Sequence, residues 1–299
     1  MQQKFFFTVL TVVMMASQGR GQSLDSLQKL QGQAYKVYFS DGHQQRAASI
    51  ASMVGKAIDY HESLLDFRPS VTLLVLNEKD WSTYTVDPLV YGMPHYNEKN
   101  KLLIVAAKDN AFWKSFLPPV EKLPADLREQ VKSAYSSGQG EFSMQPFFDL
   151  LALHELGHAF HFQAGLTMQR KWMGELFSNI LLHTFIAEKV PGLLPALVIF
   201  PRMVVAGGTD GFLYTSLKDL EEKYFEIGSK HPRNYGWYQS RWHVAAAEIY
   251  EAGGIQVLQR LWAALKSQSK ILDDEGLGNY LLTIDKILAN IMLDWDKRE

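Results

Sequence analysis

Apolar positions recur at two different spacings along the chain. Between 44 and 67 they recur roughly every three to four residues, which predicts an amphipathic helix that ends at Arg68 and Pro69. The continuous apolar runs at 71–77 and 101–107 instead predict two buried strands, because turn residues lie between them. From about 120 onward helical spacing predominates, and it predicts helices at 145–164, 172–189, 215–229, 236–252, 255–267 and 277–291. This order predicts an α+β protein, with a small mixed sheet in the N-terminal half packed on a helix and a mainly helical C-terminal half.

One strongly apolar stretch, VPGLLPALVIFPRMVVAGG at 190–208, interrupts the helical half. Its prolines Pro191, Pro195 and Pro201, together with Arg202, argue against a transmembrane helix. We expect an irregular connection that packs over the core. A surface for lipid or for a partner is the alternative.

Residues 1–22 have the layout of a secretory signal peptide. Lys4 precedes an apolar run from Phe5 to Ala16, and small and polar residues follow it. An N-terminal membrane anchor is the alternative, but twelve residues are too few to span a bilayer comfortably. We therefore expect export to the periplasm or the extracellular space of a bacterium, with cleavage between Ala16 and Gln22.

Composition narrows the classes of partner and of metal ligand. The 299 residues are 47% hydrophobic and carry 30 Lys and Arg against 32 Asp and Glu, without a block of like charge. This balance gives no sign of a nucleic-acid partner, and we expect no membrane association once the leader is removed. The chain has no cysteine, so any metal must be held by His, Asp and Glu. We expect 23–144 to form an N-terminal α/β part and 145–299 a helical part of one integrated unit.

The candidate chemistry lies in FFDLLALHELGHAFHFQAG at 147–165, where polar residues stand inside an apolar helical run. Such residues cost free energy when buried unless something satisfies them. His154 and His158 are four residues apart and share one face of a helix, so both imidazoles can bind one ion. Glu155, one step round the helix, is placed to accept a proton from a water molecule on that ion. The pattern H-E-x-x-H thus predicts one zinc ion per chain.

A hydrolytic zinc ion takes three protein ligands and keeps a fourth position open. We expect Glu175 to be the third ligand, because it is an acidic residue on a helix that is otherwise largely apolar. His161 and His183 are rival ligands, although His161 follows His158 by only three residues and is expected to point away. Asn179, one turn after Glu175, is placed to orient a ligand imidazole through its amide.

The pairing of HELGH at 154–158 with WMGE at 172–175 resembles the gluzincin metallopeptidases, the broad group that includes thermolysin. The C-terminal YGWYQSRWHVAAAEIYEAGGIQVLQRLWAAL is similar to a helix pair of small peptidase-MA-like domains. Leu176 and Ser178 depart from the glycine and alanine common in that second motif, and Asn179 stands where thermolysin-like members have an aspartate. With the shorter interval between the two motifs, these departures indicate a divergent member.

The resemblance implies a zincin-like fold and a catalytic zinc. It also implies that an edge strand before the metal helix binds extended substrate, and KLLIVAA at 101–107 or its neighbour would fill that role. By the alignment of YQS, Tyr238 is the first choice for the group that stabilises the oxyanion, with Tyr235 and His243 as alternatives. Plain packing roles for Tyr238 and His243 are the competing interpretation.

These observations predict an exported zinc metallopeptidase that acts on peptides or proteins. The first alternative is a zincin-like binding protein without catalysis. The second is an envelope-associated protein that uses the apolar segment 190–208 to bind a partner. Retention of Glu155 favours the enzyme, because a purely structural zinc ion has no use for a base.

Overall fold

The computed structural model describes residues 23–85, 90–117, 120–136 and 141–297, and the predicted signal peptide at 1–22 lies outside them. The described chain is an α+β protein, as the sequence predicted, with its strands first and most of its helices after them. The strands are β1 (Gln28–Lys29), β2 (Lys36–Phe39), β3 (Thr72–Leu76), β4 (His95–Asn97) and β5 (Leu102–Ala106). The helices are α1 (Gln44–Leu65), α2 (Glu78–Tyr84), α3 (Ala111–Lys114), α4 (Ala125–Tyr135), α5 (Gln145–Gln163), α6 (Lys171–Lys189), α7 (Leu194–Ala206), α8 (Leu217–Lys230), α9 (Pro232–Ser267), α10 (Asp274–Ile284) and α11 (Lys286–Leu293).

The sheet has the strand order β1-β2-β3-β5-β4. Strands β2, β3 and β5 run parallel, while β1 and β4 pair antiparallel at the two edges. The two predicted strands, β3 and β5, form its buried centre, where continuous apolar runs are expected. The sequence did not predict β1, β2 and β4, which have two, four and three residues and too short a pattern to recognise.

Helix α5 joins the two halves of the molecule. It packs against β4, β5 and α1 on the side of the sheet and against α6 on the other side. Helix α6 in turn packs along α9, so that α5, α6 and α9 form successive layers of one continuous core. The residues of the candidate site are thereby surrounded by packed elements.

The two predicted helices at 236–252 and 255–267 are both present and together make up α9, which has a sharp bend between them. The bend is at Gly254, whose φ of 57° and ψ of −150° only glycine adopts readily. The helix predicted at 277–291 is two helices, because Asp285 leaves helical geometry and caps the start of α11.

The segment 190–208 is not an irregular connection, and that prediction was wrong. It contains a short 3-10 turn followed by α7, with Pro195 in the first turn of the helix and Pro201 inside it. Pro201 cannot donate a backbone hydrogen bond within the helix. Packing of α7 against α4 and α9 stabilises the helix despite this loss. No described helix is both long and apolar enough to cross a bilayer.

Candidate metal centre

Helices α5 and α6 bring three predicted ligands to one point. His154 and His158 lie one turn apart on α5, and Glu175 faces them from the second turn of α6. The Nε2 atoms of the two histidines are 3.2 Å apart. The Glu175 Oε2 atom lies 3.2 Å from Nε2 of His154 and 3.9 Å from Nε2 of His158. The three side chains therefore form a compact, largely buried group that could hold a metal ion.

These distances can be compared with those of a real metal site. A triangle with these sides has its centre about 2.0 Å from each corner, and bonds from zinc to histidine nitrogen or carboxylate oxygen are about 2.0–2.2 Å. Two imidazole nitrogens and a carboxylate oxygen are also a ligand set that suits zinc. The donor atoms thus fit a zinc ion in both spacing and chemistry.

A glycine inside the motif allows the two helices to approach this closely. A Cβ atom at Gly157 would lie 2.7 Å from the Cα of Ser178 on α6, which is closer than atoms can pack. Only a hydrogen fits at this crossing. The contact lies between His154 and His158 on one helix and just after Glu175 on the other, so the crossing distance sets how near the carboxylate comes to the imidazoles.

The amide of Asn179 selects the tautomer of His154. Its Nδ2 atom donates to the carbonyl of Glu175, one turn earlier on α6, at 3.1 Å. Its Oδ1 atom therefore faces Nδ1 of His154, at 3.1 Å, and must accept a proton from it. In the neutral imidazole, the proton on Nδ1 leaves Nε2 of His154 with a lone pair directed at the cluster. The orienting role predicted for Asn179 thus agrees with the geometry.

The second imidazole is supported by another histidine. Nδ1 of His158 lies 3.0 Å from Nε2 of His161 and 3.3 Å from Oγ of Ser178. His161 is therefore behind the ligand and does not join the cluster, as its spacing predicted. Burial lowers the pKa of His161 to about 3, so His161 is a neutral imidazole, and in the tautomer with its proton on Nδ1 its Nε2 accepts the Nδ1 proton of His158.

Two of the three donors are held in the form that binds an ion, and the third must lose a proton. Burial acts to lower the pKa of His154, but the hydrogen bond and the charge of Glu175 raise it above the usual value. Burial acts to raise the pKa of the Glu175 carboxyl, but the two histidines beside it hold that pKa well below its usual range. Burial lowers the pKa of His158 to about 4, which keeps its imidazole neutral near pH 7. An ionised carboxylate and a neutral imidazole are the forms that bind a metal ion.

Glu155 points to the edge of the sheet. Its Oε2 atom accepts a hydrogen bond of 2.9 Å from the backbone N–H of Tyr96 in the edge strand β4. Burial, reinforced by the charge of Glu175, raises the pKa of Glu155 to about 7, although His154 and the Tyr96 amide act in the opposite direction. A carboxylate with this pKa can both accept and return a proton near neutral pH.

The resemblance implied that an edge strand before the metal helix, either KLLIVAA or its neighbour, binds substrate. The edge strand in the structure is the neighbour, β4. Strand β5, within KLLIVAA, is paired on both sides by β3 and β4. Strand β4 is the edge, and its Tyr96 N–H is directed away from β5 because it donates to Glu155.

Glu175 is held by a network of three polar residues, two of which the sequence did not indicate. The Tyr224 hydroxyl on α8 donates to Oε1 at 2.8 Å, and Nε2 of Gln239 on α9 donates to Oε2 at 3.1 Å. The Tyr235 hydroxyl lies 3.0 Å from that of Tyr224 and accepts from Gln239 at 2.9 Å. Tyr235 had been an alternative for the oxyanion, whereas Tyr224 and Gln239 belong to no motif, and no spacing in the sequence connects them with position 175.

The structure does not bring Tyr238 into the cluster. Its side chain is fully buried, its hydroxyl donates to the carbonyl of Ser216 at 2.8 Å, and its ring stacks on Trp295. His243, by contrast, lies beside the cluster with its ring centroid 6.3 Å from that of His154. The rival ligand His183 is outside the group of donors, two turns beyond Glu175 on α6.

Comparison of the chain with the models of known protein families gives no match, and comparison with curated proteins gives none either. The resemblance to gluzincins therefore rests on the motif residues.

Proposed function

We propose that the chain is an exported zinc metallohydrolase that cleaves peptide bonds. The observation that carries the proposal is the combination of a three-donor cluster with Glu155, a carboxylate beside it on the same helix. A structural zinc ion is normally closed by a fourth side chain and needs no base. Among the described residues the cluster supplies three donors, His154, His158 and Glu175.

Each side chain has a role in this proposal. Zinc, when bound, supplies a Lewis acid that lowers the pKa of water and polarises a carbonyl group. Glu155 accepts the proton of the attacking water and delivers it to the leaving nitrogen, which its pKa of about 7 permits. The outer edge of β4 would take an extended peptide next to Glu155, with the Tyr96 N–H exchanging its bond to Glu155 for one to the peptide backbone.

We propose His243 as the group that donates to the developing oxyanion. Its ring centroid lies 6.3 Å from that of the candidate ligand His154 and 5.4 Å from that of Phe147. Burial holds its pKa well below the usual range, so it would donate as a neutral imidazole. Tyr238 is not a candidate here, since its hydroxyl is bound to Ser216.

Elemental analysis of the mature protein, purified without chelator, tests the metal. We expect about one zinc per chain in the wild type and clear loss in Glu175→Ala. Absence of zinc from the wild type after reloading would contradict the proposal and favour a zincin-like binding protein without catalysis.

A peptide library read by mass spectrometry then tests the chemistry. Glu155→Gln should keep the zinc and lose about 10²–10⁴-fold in turnover, because the amide cannot accept a proton. His243→Phe should keep the zinc and lower kcat with a smaller effect on KM. Equal turnover by Glu155→Gln would remove that residue from the mechanism.

The export part of the proposal rests on residues 1–22 alone. Expression with this segment intact in a bacterial host should yield a shortened chain outside the cytoplasm, whose new N-terminus lies between Ala16 and Gln22. N-terminal sequencing distinguishes this outcome from a retained anchor.

A further inference from the structure

The support of Glu175 comes from outside the helix that carries it. Each carboxylate oxygen receives a hydrogen bond, Oε1 from Tyr224 on α8 and Oε2 from Gln239 on α9. Oε2 is the oxygen that faces both histidines. The hydrogen bond to Oε1 therefore fixes the rotation of the carboxylate about the Cγ–Cδ bond. A carboxylate held in this way presents one defined oxygen to the cluster.

The direction of every hydrogen bond in this network follows from the charge of Glu175. The ionised carboxylate can only accept, so the Tyr224 hydroxyl donates its single proton to Oε1. The oxygen of Tyr224 must then accept the proton of Tyr235, whose own oxygen accepts from Gln239. The result is a chain of donors that runs from Gln239 through Tyr235 and Tyr224 to the carboxylate.

Both phenols are fixed donors at neutral pH. The ordinary pKa of a tyrosine hydroxyl is about 10, so Tyr224 and Tyr235 both carry their proton. Neither hydroxyl loses its proton under ordinary conditions.

The backbone of α8 is shaped to deliver Tyr224. The helix starts with a capping box formed by Ser216 and Asp219, and it leaves helical geometry at Lys223, the residue immediately before Tyr224. Glu221 ties it to the start of α6, where its carboxylate accepts from the backbone N–H of Lys171 at 2.8 Å. Helix α8 is thus attached to the same helix that carries the carboxylate.

We propose that Tyr224 is a positioning residue of the metal centre, which, supported by Tyr235 and Gln239, turns Oε2 of Glu175 towards the two histidines. This inference rests on the proposed metal function and extends it, because it makes the position of α8 a determinant of metal affinity. Residues that hold a metal ligand in place are typically worth about 10–100-fold in affinity.

Zinc affinity, measured by competition with a chromophoric chelator, tests this proposal. Tyr224→Phe removes one hydroxyl and should weaken binding about 10–100-fold. Tyr235→Phe should weaken it about 3–10-fold, since it removes the donor to Tyr224 and leaves α8 untouched. The double variant should be close to Tyr224→Phe alone, because Tyr235 acts through Tyr224.

The matched control is Tyr135→Phe, which also removes a buried tyrosine hydroxyl, but one that donates to the backbone carbonyl of Ala196 at 2.9 Å and accepts from the backbone N–H of Phe200 at 3.2 Å. It should leave zinc affinity unchanged. The cobalt(II) form provides a second readout: its visible absorption bands should shift in Tyr224→Phe and stay constant in the control, because they report the arrangement of the ligands.

The outcomes separate this proposal from the function it rests on. A wild type that binds no zinc or cobalt would overturn the metal centre and this inference with it. Binding by the wild type that is equal in Tyr224→Phe, with the same cobalt spectrum, would overturn the inference alone. Should Tyr224→Phe fail to fold, equal affinity of Tyr235→Phe and wild type would have the same consequence.

Discussion

At the scale of single residues, the side-chain amide of Asn179 links both helices of the cluster. It donates to the backbone carbonyl of Glu175 and accepts from Nδ1 of His154. One side chain therefore both contacts the backbone next to Glu175 and selects the tautomer of His154. Its spacing of four residues from Glu175 allowed this role to be predicted, because residues one turn apart share a helix face.

We expect Asn179→Leu to weaken zinc binding about 10–100-fold, since Nδ1 of His154 loses its acceptor and the imidazole loses its fixed orientation. Chelator competition measures the change. Thr184→Val is the matched control on the same helix, because the Thr184 hydroxyl is buried and has no hydrogen-bond partner among the described residues. An unchanged affinity of Asn179→Leu would mean that His154 is held by packing alone.

Burial also lowers the pKa of His61, a histidine outside the metal cluster. It lies on α1, packed against Phe160 and Phe185, and its Nδ1 atom has no hydrogen-bond partner in the described chain. Burial lowers its pKa to about 3, although a hydrogen bond with the Leu181 backbone acts in the opposite direction.

This shift makes the folded chain sensitive to acid. The unfolded chain binds a proton at His61 as the pH falls through about 6.5, and the folded chain does not bind it until about 3. The free energy of unfolding should therefore fall with pH in this window, by up to about 1.4 kcal/mol per pH unit from His61. In His61→Leu the free energy of unfolding should change less steeply with pH, by that amount. Urea unfolding at pH 7, 6 and 5 with chelator present measures both slopes. Parallel slopes would show that His61 is protonated in the folded chain.

At the scale of elements, the crossing of α5 and α6 is set by the absence of a side chain at Gly157. The regular spacing of apolar residues predicted both helices, and the H-E-x-x-H pattern together with Glu175 predicted the candidate ligands. It did not predict their separation, because a glycine within a helix is equally consistent with a loose or a tight crossing.

We expect Gly157→Ala to lower the free energy of unfolding by about 1–3 kcal/mol and to weaken zinc binding about 10-fold or more, because α6 must move away from α5. Denaturant unfolding and chelator competition measure the two effects. Gly174→Ala is the control on the facing helix, since its Cβ would meet His161 at 3.6 Å, an ordinary contact. A Gly157→Ala protein with wild-type affinity would show that the crossing does not place Glu175.

Contacts that the sequence did not predict complete the site. Tyr96 reaches Glu155 from β4, a strand of three residues, and Tyr224 reaches Glu175 from α8, forty-nine residues further along the chain. Both contacts depend on how distant segments of the chain pack together, and the local periodicity of the sequence does not predict such packing. The metal ligands could be predicted because two of them lie on one helix and the third on the next.

At the scale of the whole molecule, α5 is the element that both halves share, with the sheet on one side and the helical layers on the other. An ion held between α5 and α6 would therefore stabilise the contact between these layers. Metal affinity and folding are expected to be linked, because the unfolded chain has no such cluster.

Free zinc at about 100 times its Kd should raise the free energy of unfolding by about 2.7 kcal/mol. The gain should disappear in Glu175→Ala, which lacks a ligand, and persist in Glu155→Gln, which keeps all three. Denaturant unfolding with and without zinc measures it. A gain of equal size in Glu175→Ala would place the ion elsewhere in the molecule.

The tight crossing at Gly157 also bears on how distant relatives of this chain can be recognised. A Cβ atom at position 157 would clash with the backbone of α6. We therefore expect relatives with the same helix crossing to keep this glycine even where the neighbouring residues differ. Together with the histidines, Glu175 and Asn179 it defines the spaced signature H-E-x-G-H, sixteen residues, E-x-x-x-N. Ancestry can then be traced through a geometric requirement after overall identity has faded.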